Sequence, residues 1–358
     1  MRFPYHTRHA EARRLLPYPE GRIAYAILIA ALLVVPFVLP RFWIGEISYV
    51  FILAIAALGL MVLKGFTGQV SLGPAAFVAI GAYAHALMLD AGAPLLVSLA
   101  LSMALCGVAG LLVGLPAIRV SGLSLAMITL AFAVIVEHVI GRWKALTGGF
   151  SGLPVEAPVL FGWRLSGPMP FYFLCLAILA VVLIALVNLT RGPKGRAFVA
   201  VRDSESAAWG LGIDVDRVKV EAFVLSSAIL GLAGALMAHH VQHLTPEGFG
   251  LLLSLELVLM VVIGGLGSLR GAILGAILIG FLPRAISMAK PLLPGQVSGQ
   301  FGLEIFVYGL VLALFVLFEP GGLEARWRKT KAFLTSFPVY RRDTFRRQKS
   351  YMRSERLK

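Results

Sequence analysis

Charge is what this sequence has least of. Only 14% of its 358 residues are charged, while 59% are hydrophobic and the mean hydropathy is +0.87; an average soluble domain carries roughly a quarter charged residues. A soluble fold of this length could not hide that excess, which excludes an ordinary cytosolic enzyme. Cysteine is scarce as well. Cys106 and Cys175 each sit inside an apolar run, so neither a metal cluster nor a disulfide framework is expected. Acids are short too, with 18 Asp and Glu against 32 Lys and Arg, a net charge of +14. In a chain that crosses a bilayer many times, basic loops on one side produce such a surplus without nucleic acid. What remains is a succession of long apolar runs, the signature of an integral membrane protein.

The first 22 residues are polar and basic, and an apolar run over 23–40 follows that is long enough to span. No small-residue cleavage pattern closes it, which points to an uncleaved first helix. Further spans are expected at 47–63, 73–89, 94–118, 123–140, 171–189, 221–242, 251–268, 271–289 and 302–318. The fold class is therefore all-α, a polytopic transmembrane helical bundle of about ten segments. The glycines of 65–81, with Pro74, suit a broken or re-entrant segment. Residues 1–22 form a basic cytoplasmic leader, 23–320 the membrane domain, and 321–358 a basic cytoplasmic tail attracted to anionic membrane lipid.

Orientation follows from the distribution of Lys and Arg. With the N-terminus inside, 26 basic residues fall on the cytoplasmic side and six outside, and without the long tail the ratio is still 14 to 6. Both termini are then cytoplasmic, 141–170 lies outside, and 190–220 is the one long, strongly charged internal loop.

Two glycine-rich stretches are candidates for function. In 64–74, Thr67, Gln69 and Ser71 supply neutral hydrogen-bonding groups where glycine permits bends. They either line a solute path or cap the backbone of a helix break. The second stretch holds Gly264, Gly265, Gly267 and Gly271, for close helix packing or gating; Gly267, Gly271 and Gly275 would share a face if the following helix starts early. The two stretches echo each other faintly over 68–72 and 265–269. The ionisable residues within the spans are Glu137, His138, His239, His240, Glu256 and Glu304, all near helix ends. None shows the spacing of a metal site or of a nucleophile with its base, no phosphate-cradling motif occurs, and no cofactor is expected. The chain is not read as an enzyme.

The internal loop is the sharpest signal. Asp203 or Ser204 can cap a helix of about two turns that contains Glu205, Ser206, Ala207 and Ala208 and stops at Gly212. Two turns are unstable alone in water, so this helix needs a partner, and small alanines would let a foreign groove approach.

The loop resembles the coupling loop of bacterial ABC-importer permeases, in which Glu-Ala-Ala, three residues and Gly dock on the ATPase. Here Ser206-Ala207-Ala208 and Gly212 keep the spacing, with Ser206 in place of Glu and Glu205 one position earlier. The stretches 65–73, 129–132, 146–149, 207–213 and 254–268 occur in order and resemble the LivM-type permease subunit of branched-chain amino-acid importers over roughly residues 45–320. Pro74 departs from the usual His. The resemblance implies a homologous second permease subunit, two cytoplasmic ATP-binding subunits, a periplasmic substrate-binding protein and location in the bacterial inner membrane. Relatives that import urea, short amides or aromatic acids share the outline. An ion-coupled secondary transporter is the rival from another class, and usually shows a deeply placed acid or cation site.

The topology makes a direct prediction. In a background lacking Cys106 and Cys175, an impermeant thiol reagent applied to intact cells should label Ser151→Cys and spare Ser204→Cys. Labelling of the second from outside would contradict the assigned sides.

Overall fold

A computed structural model describes residues 19–120, 122–160, 163–164, 167–289, 306, 309–310, 313–314, 317 and 321–336. The chain divides into two compact units, one of Val35–Glu324 and one of Met1–Val34 with Ala325–Lys358. In order, the helices are α1 (Pro19–Val38), α2 (Arg41–Leu60), α3 (Pro74–Asp90), α4 (Leu95–Ala117), α5 (Leu123–Arg142), α6 (Pro168–Arg191), α7 (Pro193–Asp203), α8 (Glu205–Gly210), α9 (Val215–Val241), α10 (Leu251–Gly264), α11 (Leu269–Ala289) and α12 (Gly322–Ser336). Among the described residues, seven helical segments are long and apolar enough to cross a membrane, and Ile23–Val38 and Pro74–Asp90 are shorter apolar ones. The protein is a polytopic helical bundle. The expected span 302–318 lies outside the described residues, apart from a few isolated positions.

Boundaries follow local chemistry. Pro40 is extended and α2 begins directly after it, so Arg41 and Glu46 join the helix that the apolar pattern started at 47. A π-helical turn, Met61–Phe66, carries α2 to the break. The break itself covers only 67–73: Pro74 sits in the first turn of α3, where its missing N–H costs nothing, and α3 then runs on uninterrupted. α10 stops at Gly264, four residues short of the apolar run.

In the larger unit α9 is the central helix and touches α2, α3 and α4. Small residues make this possible. At Gly234 a Cβ would collide with the carbonyl of Val78, and at Gly81 with the backbone of Gly231. On the other side Gly231 admits Cys106, and Gly114 leaves room for Phe223. Such approaches suit membrane bundles, where packing rather than expulsion of water holds helices together. α10 and α11 form a hairpin in which Gly264 meets Gly271, and Gly275 meets Met260. Gly267 lies in the turn before α11, not on its face, because α11 begins only at Leu269. Two short antiparallel pairs occur at the end of the bundle away from α7 and α8: β1 (Leu153–Pro154) with β4 (His243–Leu244), and β2 (Val159–Leu160) with β3 (Trp163–Arg164).

In the smaller unit, α1 is apolar and mostly exposed from Ile23 to Val34, and α12 exposes Arg326, Trp327, Arg328 and Lys329 in succession.

Two glycines separate packing from propensity. Gly234→Ala should lower stability by about 1–3 kcal/mol, because its methyl group meets fixed backbone. Gly45→Ala, with nothing within 4 Å of the new carbon, should be neutral or stabilising by up to about 1 kcal/mol. Thermal unfolding in detergent reads both, and equal midpoints would refute the packing account.

Candidate functional site

The break at 67–73 must satisfy its own backbone, since irregular chain at membrane depth finds no water in lipid. Thr67, Gln69 and Ser71 are all buried. Thr67 Oγ1 donates to Leu63 O at 2.6 Å. Gln69 Nε2 donates to Thr67 Oγ1 at 3.1 Å and to Lys219 O at 3.2 Å. Ser71 Oγ accepts from Gly73 N at 3.4 Å. Helices from elsewhere complete the set: Thr129 Oγ1 accepts from Leu72 N at 2.9 Å, and Ser254 Oγ from Ala75 N at 3.2 Å. The three polar side chains thus serve the break, yet Gln69 Oε1 is buried and has no hydrogen-bond partner among the described residues.

The charged loop folds onto this break. Its first part is helical, α7, where composition suggested only a loop. Ser204 caps α8 by accepting from Ala207 N at 3.3 Å, so of the two candidate caps Ser204 is the one used. Gly212 ends the turn with φ +80°, and Ile213 N reaches back to Ala208 O at 3.1 Å, a glycine-dependent stop. Ala208 points inward and packs with Val201 and Val215. That corrects the expectation that both alanines face a partner: Ala207 is exposed and Ala208 is not. What the tip exposes is Trp209, at 77%, and Leu211, at 79%. Beside them Trp209, Gly212, Ile213, Asp214, Val215 and Asp216 line a cleft of about 440 Å³.

Cations tie the loop to the bundle, one of them Lys194 of α7, whose Nζ lies 3.0 Å from Glu221 Oε2 of α9. Arg202 Nη1 donates to Gly65 O at 3.0 Å, while its Nε and Nη2 bind Asp203 Oδ1 at 3.0 and 2.9 Å. A Cβ on Gly267 would lie 2.9 Å from Arg202 Nη1, and one on Gly68 would lie 3.1 Å from Arg202 Cγ. The two glycine stretches that echo each other in sequence therefore meet at one guanidinium. Lys219, 4% exposed, forms an ion pair with Glu205 at 2.7 Å. Its carbonyl takes the Gln69 amide. A continuous set of contacts runs from Glu205 on the loop through Lys219 to Gln69 in the break. Among the described residues, Ser206 contributes a contact with Ser204, Oγ to Oγ at 3.1 Å.

Lys219 escapes sequence reading because it looks like one more basic loop residue; its depth depends on α9 beginning at Val215. His85 is a second omission. At the opposite end of the bundle its Nε2 lies 2.8 Å from His239 Nε2, and His239 Nδ1 is 3.0 Å from Glu156 O. His239 therefore donates through Nδ1 to that carbonyl, and His85 Nε2–H donates to His239 when both are neutral. A single histidine in an alanine-rich run is the signal that would have found it. Glu304 lies outside the described residues.

The family model for the branched-chain amino acid transport system permease component matches residues 44–318. The high-affinity branched-chain amino acid transport system permease protein LivM of Escherichia coli K12 is 32% identical over 295 residues, covering 74% of this chain and 69% of that protein. A probable branched-chain amino acid transport permease protein LivH of Methanocaldococcus jannaschii is 27% identical over 311 residues, 82% of this chain and 95% of its own. The ribose import permease protein RbsC of Haemophilus influenzae is 28% identical over 189 residues, 51% of this chain and 56% of its own. No solved structure matches.

The buried cation makes the Glu205–Lys219 pair asymmetric. Glu205→Ala leaves Lys219 buried and unpaired and should cost about 1–3 kcal/mol, discounted from a fully buried pair because Glu205 is half exposed. Lys219→Met, which leaves an acid free to reach water, should cost less. Detergent unfolding of the two variants gives the order, and the reverse order would refute it.

Proposed function

The chain belongs to the branched-chain amino acid transport permease family, and from that premise we propose that it carries branched-chain or related amino acids through the bacterial inner membrane, powered by ATP hydrolysis on separate subunits. It is a permease subunit of an ABC importer. A homologous second permease subunit, two cytoplasmic ATP-binding subunits and a periplasmic substrate-binding protein complete the machine on this reading. The positive-inside distribution puts α7, α8, the leader and the tail in the cytoplasm, with the tail on anionic lipid.

The observation that carries the reading is the two-sided loop. Its outer side offers Trp209 and Leu211, apolar and almost fully exposed, next to Ser206 and Ala207. An aromatic anchor on a short cytoplasmic helix suits docking into an ATP-binding subunit. Its inner side holds Glu205 on Lys219 and Arg202 on Gly65. A displacement of the loop by the ATP-binding subunits then acts on the break and on the Gly264–Gly271 hairpin together. That supplies the differential contact alternating access needs between two global states. In the path itself Thr67, Gln69 and Ser71 present neutral polar groups, and Gln69 Oε1, without a partner among the described residues, is an acceptor for a passing ammonium group. Gly265 and Gly267 keep the hairpin turn small enough to follow.

Uptake of labelled leucine, urea and benzoate in a deletion strain separates the substrate classes, and leucine is the expected cargo. Trp209→Ala combined with Leu211→Ala should insert normally yet lose at least tenfold of the co-purifying ATP-binding subunit, about 1.4 kcal/mol of binding. Ala208→Glu should instead damage the loop itself. If the Trp209/Leu211 variant transports at the wild-type rate, the docking assignment is wrong.

A further inference from the structure

The end of the bundle away from α7 and α8 is crossed by a short strap, residues 151–156, laid antiparallel along the end of α9 and β4. Leu153 and Pro154 pair with Leu244 and His243. Val155 N donates to Gln242 O at 2.8 Å, and His243 Nε2 lies 3.1 Å from Ser151 O. Gly152 is pressed so closely on this segment that a Cβ there would collide with His243 and the Leu244 carbonyl. α3 meets the same junction from another side. Tyr83 Oη donates to Leu244 O at 3.1 Å. His85 Nε2 lies 2.8 Å from His239 Nε2, and His239 Nδ1 lies 3.0 Å from Glu156 O. One chain of hydrogen bonds therefore joins α3, α9 and the strap.

A permanent attachment would not need imidazoles. His85 and His239 are 0% and 5% exposed, and burying a polar ring is unfavourable unless it is hydrogen-bonded. Two apolar side chains of that size would hold the helices without that condition. A hydrogen bond differs from apolar packing in being lost over a short displacement or rotation, so this contact has two states, made and broken. Gln242, whose carbonyl receives the strap, has φ +62° and is the one non-glycine residue with positive φ among the described residues. Such backbone is sparsely populated and persists only while its surroundings hold it. α3 also links the junction to the break. It runs uninterrupted from Pro74, directly after the break, to Asp90. His85 therefore rides on the same helix about 16 Å further along its axis, at 1.5 Å per residue. At the inner end the break is joined to α9 by the bond from Gln69 to Lys219 O.

We propose that the strap is a gate at this end of the solute path and that the His85–His239–Glu156 chain is its latch, made in the conformation described and broken when α3 shifts against α9 during transport. This rests on reading the chain as a permease, and adds which contact yields on the side where the solute enters. A movement of the break passes along α3 to His85. Once the bond between the histidines is lost, His239 is free to turn and its hold on Glu156 O goes with it. Only a strand pair two residues long then keeps the strap down, too little to hold by itself.

The test is a reversible lock. Because Val155 N bonds Gln242 O, Pro154 and His243 form the adjacent non-hydrogen-bonded pair, with Cα atoms about 4.5 Å apart in such ladders, and both residues are exposed. The complex carries Pro154→Cys and His243→Cys in a background of Cys106→Ala and Cys175→Ala. It is reconstituted with its ATP-binding subunits in proteoliposomes and supplied with loaded binding protein. Oxidation to the disulfide, which this spacing permits, should lower leucine uptake at least tenfold relative to the same vesicles reduced. The ATP-binding subunits should stay bound in both. The latch is read separately with Leu244→Cys, at a residue fully buried beside the strap. In the nucleotide-free complex an impermeant thiol reagent should label it at least tenfold faster when His85→Phe is added, a change that keeps a ring and removes its hydrogen bond. If His85→Phe does not assemble, the oxidised pair decides. Equal uptake in oxidised and reduced vesicles would make the strap a permanent tie and overturn the proposal, as would equal labelling with and without His85→Phe. A wild-type complex that imports no amino acid overturns the permease reading itself.

Discussion

Backbone that leaves a helix inside a membrane bundle must find its hydrogen bonds within the protein, and residues 67–73 are where this chain meets that demand. The hydroxyls of Thr129 and Ser254 come from helices far away in sequence to receive Leu72 N and Ala75 N. Gln69 reaches to the carbonyl of Lys219, and Arg202 covers the carbonyl of Gly65. Satisfying one short break therefore pins α5, α10, α9 and α7 to it. The arrangement of the helices around α3 follows from this requirement as much as from apolar packing.

The same requirement joins the break to the charged loop. Its donors and acceptors are supplied by elements that also belong to the charged loop, so moving the loop changes the hydrogen bonding of the break. Ion pairs in such positions add little net stability against an apolar replacement. Their use here is directional: Glu205 and Arg202 connect a loop with an exposed aromatic tip to backbone deep in the bundle. Close glycine contacts along α9 and in the α10–α11 hairpin keep the surrounding helices near one another.

The two ends of the larger unit differ in chemistry. Near the loop, cations meet backbone carbonyls and the acids Asp203, Glu205 and Glu221. At the other end a histidine pair, His85 with His239, ties α3 to α9 and to the segment holding Glu156, and the Glu46–Arg284 pair ties α2 to α11. Short paired strands and the bond from Tyr83 Oη to Leu244 O at 3.1 Å close the connection between helices there. Both ends are held by specific polar contacts, while the middle of the bundle depends on shape.

Composition and hydropathy alone determined that this is a polytopic helical membrane protein, because an apolar excess of this size has no other stable resting place. The Ser204 cap, the Gly212 stop and the position of the break were legible for the same reason: each depends on residues adjacent in the chain. Tertiary structure decided what local pattern cannot carry. The direction of Ala208 depends on Val201 and Val215 lying under it. The burial of Lys219 depends on where α9 starts, and the meeting of Gly65 and Gly267 at Arg202 joins residues about two hundred positions apart. Glu46 and Arg284 pair only because α2 and α11 lie side by side. A sequence records which residues prefer lipid, water or a turn; only the folded bundle sets which of them share a distance of 3 Å, and that distance is where the chemistry of transport resides.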